Sequence, residues 1–283
     1  MLPPETRIGS VNLTVADLGA QQQFYERTLG LRELGRDGQT VSLGPDGGPA
    51  ILELTGDPDA PRRPHGTTGL YHLAVLVPSR VDLGHALRRV IEAGWRFTGA
   101  SDHLVSEALY LRDPEGNGIE IYRDRPRDEW ARNDEGVIQM ATLPLDLDGV
   151  LGEVDPAQPA PRLMSFGTQI GHVHLQVANI HDAEAFYAGG LGFDVTVRSY
   201  PGALFVSAGG YHHHIGLNIW ESAGASPPPP GSTGLRSFEV VLPSAEDARR
   251  VADQARAAGA EVQAGEGATI ALDPWRDAVL LTA

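Results

Sequence analysis

Two histidines and a glutamate occupy matching places in a repeated pattern of this chain. His72 lies in the run TGLYHLAVLV, Glu120 in DPEGNGIEIY and His172 in IGHVHLQV. Two imidazoles and one carboxylate form a ligand set that grips a divalent iron on one face and leaves other positions open to substrate and dioxygen. Manganese(II) suits the same donors. A lone histidine in an apolar strand is ordinarily a hydrogen-bonded core residue. His72 and His172 differ in sharing one repeat position. Glu120, flanked by Ile119 and Ile121, would cost several kcal/mol to bury as an isolated carboxylate. A metal removes that cost, and so would an exposed strand face.

The elements that must position these residues come as four copies of one unit. IGSVNLTVADL at 8–18 and IGHVHLQVANI at 170–180 are close copies, each leading to an aromatic pair (Phe24-Tyr25, Phe186-Tyr187) and then to Leu29-Gly30-Leu31 or Leu191-Gly192-Phe193. GLYHLAVLVPSR at 69–80 and GLRSFEVVLPSA at 234–245 form a second pair. The helical patterns Leu83/Leu87/Val90/Ile91 and Val251/Ala252/Ala255/Ala258 follow them, and Gly94 and Gly259 supply the stops. Each unit reads strand, helix, then three short strands. Alternation puts Tyr71, Leu73, Val75 and Val77 on one strand face and Leu70, His72 and Ala74 on the other. In the third unit His172, His174 and Gln176 oppose Val173, Leu175 and Val177. One face should pack on the helix, and the histidine face should line a cup.

The predicted fold is α+β: four tandem βαβββ modules forming two cup-like half-barrels. Modules one (8–55) and two (69–123) make an N-terminal domain, 1–125. Residues 126–165 form a linker that includes the proline-rich EVDPAQPAPR at 153–162. Modules three (170–220) and four (234–283) make a C-terminal domain, 166–283, with GASPPPPGS at 224–232 between them. A length of 283 residues suits two domains. The net charge of −15 argues against nucleic acid and against anionic lipid. No apolar run approaches membrane-helix length, the opening MLPPETRIGS has no signal-peptide stretch, and there is no cysteine. A cytoplasmic enzyme is expected, with oligomeric state open.

IGHVHLQV, the FY…LG helix, GGYHHHIGLN and ALYLRDPEGNGIEIY together resemble the vicinal oxygen chelate superfamily of glyoxalases, bleomycin-resistance proteins and extradiol dioxygenases. The resemblance covers nearly the whole chain and is strongest to the catechol 2,3-dioxygenase branch. That branch draws one histidine from the opening strand of one module, and a histidine and a glutamate from the opening and closing strands of its partner. The opening-strand positions here are Ser10, His72, His172 and Ser237, and the closing-strand positions are Glu53, Glu120, Asn218 and Leu280. Pairing three with four, the commoner arrangement, gives only His172. Pairing two with three gives His72, His172 and Glu120. The expected assembly therefore joins module two to three and one to four.

The resemblance also implies a general acid–base histidine just before the closing strand of module three. Matching the motif selects His213, whereas strict alternation back from Asn218 puts His214 on the cup face. Tyr110 matches a tyrosine that hydrogen-bonds a substrate oxygen, and His103 matches a histidine at the cup mouth. The implied function is an Fe(II)-dependent extradiol dioxygenase in aromatic compound degradation, taking a catechol or hydroquinone-type ring and O2. The alternatives are a glyoxalase-like metal-dependent isomerase or lyase and a non-catalytic binding or resistance protein.

Overall fold

The computed structural model describes residues 1–265 and 267–283. Module one comprises β1 (Arg7–Val15), α1 (Leu18–Phe24), β2 (Arg32–Asp37), β3 (Thr40–Gly44) and β4 (Leu52–Gly56). Module two comprises β5 (Gly69–Leu76), α2 (Arg80–Glu92), β6 (Phe97–Asp102), β7 (Ser106–Arg112) and β8 (Gly118–Asp124). The short β9 (Leu143–Pro144) and α3 (Leu147–Leu151) follow. Module three is β10 (Gln169–Gln176), α4 (Ile180–Glu184), β11 (Asp194–Val197), β12 (Ala203–Ser207) and β13 (Ile215–Asn218). Module four is β14 (Gly234–Val241), α5 (Ala245–Ala257), β15 (Glu261–Ala264), β16 (Thr269–Leu272) and β17 (Ala278–Thr282).

The modules assemble in the order that ligand completeness required. One sheet runs β15-β16-β17-β14-β1-β4-β3-β2, joining module four to one. The other runs β11-β12-β13-β10-β5-β8-β7-β6-β9, joining three to two. β1 and β14 pair antiparallel, Asn12 opposite Ser237. In modules two, three and four the opening and closing strands are parallel neighbours, which the intervening helix makes possible. By contact the chain forms two compact units. The first is Met1–Thr14, Ala60–Tyr71 and Gly171–Ala283, and the second is Val15–Asp59 and His72–Ile170. The stretch 126–165 supplies β9, which pairs with β6, and α3, whose Gly149 carbonyl accepts from Arg80 at 3.1 Å. Residues 153–162 carry no regular structure.

The long helices begin and end as their sequences dictate. Ser79 and Ser244 cap α2 and α5, accepting from the Asp82 and Asp247 amides. Gly94 and Gly259 close them at φ +67° and +90°. Leu83, Leu87 and Val90 are buried along α2, as are Leu73 and Val75 along β5 and Val77 just after it. Each such side chain contributes about 1.5–3 kcal/mol over its exposed state. Ile91 is instead 52% exposed, one residue off the buried stripe.

The FY pairs do more than pack. α1 and α4 each run into a π-helical turn, Tyr25–Leu29 and Ala185–Gly190. Those turns carry the Tyr25 hydroxyl to Asp113 Oδ2 (3.2 Å) and the Tyr187 hydroxyl to Asp273 Oδ2 (3.1 Å). Each aspartate heads an Asp-Pro turn in the following module and caps it by accepting backbone amides, from Glu115 and Asn117 or from Trp275 and Asp277. Burial raises Asp113 above its ordinary value and Asp273 to about 6, against the pull of these hydrogen bonds.

One ion network steadies module two. Glu107, 3% exposed, accepts from Arg80 Nε (2.9 Å) and Arg123 Nε (2.7 Å). Burial pushes its carboxyl up, but the hydrogen bonds from Arg80 and Arg123 outweigh it and leave Glu107 below the usual glutamate value. A lowered folded-state value stabilises above the ordinary glutamate range, and that stabilisation is lost as pH falls through the lowered value. Glu107→Gln should therefore cost up to about 3 kcal/mol at neutral pH. This is the lower end of the range for breaking a buried pair, because Arg80 keeps part of its surface in water. The loss should shrink toward acid pH in chemical denaturation series, and a constant loss from pH 7 to pH 3 would contradict the assignment.

Candidate metal centre

The centre is built on three strands. β5 and β8 run parallel with Ala74 opposite Glu120, so His72 and Glu120 emerge one step apart on the same sheet face. His72 Nε2 stands 2.9 Å from Glu120 Oε2, with the residues 6% and 3% exposed. His172, 1% exposed, projects from β10. One ligand atom from each of His72, Glu120 and His172 lies within 4.8 Å of the other two. Among the described residues no other group of three His, Cys, Asp or Glu side chains meets that condition.

The donor set fits a divalent ion. Two ligand atoms about 2.1 Å from one ion and at right angles stand about 3 Å apart, which is the His72–Glu120 spacing. A hydrogen bond would span the same distance. The convergence of a second imidazole on the pair is what points to a metal, since a neutral histidine and a carboxylate need no third group to satisfy them. Two nitrogens and a carboxylate oxygen match iron(II) and manganese(II).

The expected neighbours on β7 are in place. Tyr110 sits opposite Glu120 in the β7–β8 register, its ring 5.7 Å from that of His72. The Tyr110 hydroxyl lies 2.7 Å from His103 Nε2, and His103 Nδ1 lies 2.7 Å from the Ala141 carbonyl. A carbonyl only accepts, so Nδ1 carries the hydrogen and Nε2 of the neutral ring accepts from Tyr110. The phenol therefore comes with a base already attached. Ala74, Ala108 and Tyr122, with Leu76 and Tyr110 packed on them, form an apolar wall on the same face.

The GGYHHH tract resolves its own register. Residues 211–214 precede β13, although the His214 amide still donates to the Val206 carbonyl and its carbonyl still accepts from the Val173 amide. The His213 ring lies 4.1 Å from His172 and 4.9 Å from Phe205. Its Nδ1 is 2.8 Å from His212 Nδ1. His214 is held differently: its Nδ1 accepts from the Ala208 amide (3.1 Å) and lies 3.0 Å from Ser207 Oγ. An amide can only donate, so His214 Nδ1 carries no hydrogen and cannot take one without breaking that bond. The structure brings His213 beside His172 and does not bring His214 there.

Two further expectations are corrected. Tyr71 was expected on the helix-facing side with Leu73, yet its ring is 5.2 Å from His174 and 5.5 Å from Trp220. Tyr71 lies ahead of the β5–β8 register, which begins with Leu73 opposite Ile119. In module three the register partner of His174 is Gly216. The position matching Glu120 is therefore Gly216 rather than Asn218. A Cβ at Gly216 would stand 2.9 Å from the His174 ring, so glycine leaves that ring its place. In module four Glu239 pairs with Leu280, as expected, and the Glu239 carboxylate accepts from the Ser10 amide at 2.9 Å.

Sequence reasoning missed the aromatic group around His174, in which Phe205 (5.8 Å) and Trp220 (5.5 Å) join Tyr71. It also missed Arg63, which donates to Gln176 Oε1 and the Leu70 carbonyl, each at 2.5 Å. His174 shares the His172 face by simple alternation, and that was the available signal. Nothing in the sequence links Arg63 to the strands it ties.

Comparison with known proteins follows the same lines. The model of the Glyoxalase/Bleomycin resistance protein/Dioxygenase superfamily matches residues 7–121 and 169–272, which reach into all four modules. The chain belongs to this superfamily. Within it, the chain is 44% identical over 273 residues to a protein of Bacillus subtilis (strain 168) named catechol-2,3-dioxygenase, covering 95% of this chain and 94% of that one. Solved structures share the superfamily fold. One from Bacillus subtilis, described provisionally as a dioxygenase, superposes with a TM-score of 0.67 at 13% identity, covering 97% of this chain and 84% of that chain. Glyoxalase I from Zea mays superposes with a TM-score of 0.58 at 16% identity, covering 98% and 92%.

Proposed function

We propose that this protein is an iron(II)-dependent extradiol dioxygenase that opens a catechol- or hydroquinone-type ring with dioxygen, acting in the cytoplasm. The observation that carries the reading is the convergence of His72, Glu120 and His172. Its 44% identity to a catechol-2,3-dioxygenase supports it. His72, Glu120 and His172 would hold the iron, with manganese(II) as a substitute. Bound iron supplies the electron path between the electron-rich ring and dioxygen.

The chain's own groups supply orientation, water exclusion and proton movement. Tyr110 donates to a substrate oxygen, or passes its proton to His103 Nε2, depending on the charge of that oxygen. His213 takes the hydroxyl proton of the incoming ring and returns it later. With Nδ1 engaged by His212, this exchange falls to Nε2. A neutral imidazole accepts a proton and its cation gives one up, so a single ring can perform both steps. The wall of Ala74, Ala108 and Tyr122 keeps the reacting face apolar, which strengthens every polar contact made there.

The test is purification without oxygen, metal analysis, and an oxygen-uptake screen over catechols and hydroquinones. The expected result is near-stoichiometric iron and one dioxygen consumed per ring opened. Isomerisation of a thiol adduct without oxygen uptake would replace this reading with a glyoxalase-like one. Tight catechol binding without turnover would replace it with a binding protein.

A further inference from the structure

Away from the metal centre, α2 carries a cation that the protein does not neutralise. Arg89 is 7% exposed. Its Nη1 donates to the Pro161 carbonyl at 2.8 Å and its Nε is buried with no acceptor; among the described residues no carboxylate forms an ion pair with it, and Asp82 and Glu92 act on it only through their longer-range charge. Burial pushes its value down to about 10, so it stays charged at neutral pH. A buried unpaired charge is costly and needs a reason.

The repeat supplies a control. Counting from the caps Ser79 and Ser244, the residue in α5 that corresponds to Arg89 is Gln254. Both side chains lie over the glycine of the LG motif. A Cβ at Gly30 would stand 2.9 Å from the Arg89 guanidinium, and one at Gly192 would stand 3.2 Å from the Gln254 amide. Gln254 donates to the Gly189 carbonyl at 3.2 Å. The fold therefore accepts a neutral amide at this position, and module two places a charge there instead.

Arg89 opens onto a groove of about 1000 Å³. Phe24, Trp95 and Leu163 give it an apolar wall, and Arg27 and Arg162 stand on its exposed rim. The acids that reach the groove are engaged nearby: Glu92 pairs with Arg88 at 3.3 Å, and Glu26 accepts from Gln22 at 3.0 Å. Arg89 lines the groove, and among the described residues its Nη2 makes no hydrogen bond. A positive groove on a chain of net charge −15 is not a by-product of overall charge.

We propose that this groove is a binding site for small organic carboxylates, with Arg89 receiving the carboxylate and the Phe24–Trp95 wall receiving the apolar part. The proposal does not depend on the metal-centre chemistry. A guanidinium suits a carboxylate because its planar fork matches the two oxygens. The ring pair, 4.7 Å between centroids, favours an aryl or branched acid over acetate.

Calorimetry on the full-length protein, metal-loaded except in His172→Ala, tests it, with benzoate, acetate and inorganic phosphate as probes. Benzoate should bind more tightly than acetate or phosphate, and equally in wild type and His172→Ala. Arg89→Gln should weaken benzoate about 10- to 100-fold, the worth of a charge-assisted pair. Without ligand, that variant should melt at or above wild type, because an uncompensated charge has been replaced by the residue module four uses. A purely structural Arg89 would instead lower the melting point. Leu163→Glu, which leaves Arg89 intact and places a carboxylate in the wall, should displace benzoate by at least about tenfold. Unchanged benzoate affinity in either variant overturns the site. Loss of binding in His172→Ala would move the ligand to the metal centre, and phosphate binding as tight as benzoate would overturn the carboxylate assignment.

Discussion

Replacing His172 by alanine is expected to abolish stoichiometric iron and ring cleavage while the protein stays folded. The same holds for His72→Ala and Glu120→Ala. The ligand atoms of these three residues converge within 4.8 Å, and removing any one leaves two donors, which do not close a face of the ion. The loss in metal affinity should exceed the roughly 10–100-fold that follows from removing an outer partner of a ligand. Metal analysis after oxygen-free purification, with far-ultraviolet circular dichroism as the folding control, reads the result. Ser10→Ala and Ser237→Ala share the repeat position and should keep full iron. Stoichiometric iron in His172→Ala would end the metal-centre reading, since no other such group exists among the described residues.

The second large effect separates two adjacent histidines. His213→Phe should lower turnover by about 10²–10⁴-fold, the usual contribution of a placed proton-transfer group, with iron content near wild type. Its ring lies 4.1 Å from that of His172, near enough to serve the same substrate. His214→Phe should act on stability instead. It removes the acceptor of the buried Ala208 amide, costing about 1–3 kcal/mol, while ring cleavage continues. Steady-state oxygen uptake and thermal melts on the two variants distinguish the roles. Equal loss of turnover in both would mean the tract acts as a unit. Retained turnover in His213→Phe would pass the proton to the Tyr110–His103 pair.

Most of the architecture was legible because the signals are local and repeated. Glycine stops and period-two strands recur at fixed offsets, and each is set by backbone geometry within a few residues. The anchoring of Tyr25 by Asp113 and of Tyr187 by Asp273 across modules was not readable, because it depends on where a π-helical turn throws a side chain. The same limit applies to Ile91, where one residue of helical phase separates a buried side chain from an exposed one.

The donor types and their repeat positions were set by the sequence alone. With a complete set available only from modules two and three, the pairing later seen in the sheet order could be inferred before any fold was known. Tertiary structure decided what lies beyond the reach of alternation. The His213 ring meets His172 in the stretch before β13, Tyr71 turns to His174 ahead of the β5–β8 register, and the β10–β13 register sets Gly216 rather than Asn218 at the Glu120 position. The environment of Arg89 was likewise hidden. Its burial is made by a backbone carbonyl 72 residues away in a segment without regular structure, and no periodicity records a contact of that kind.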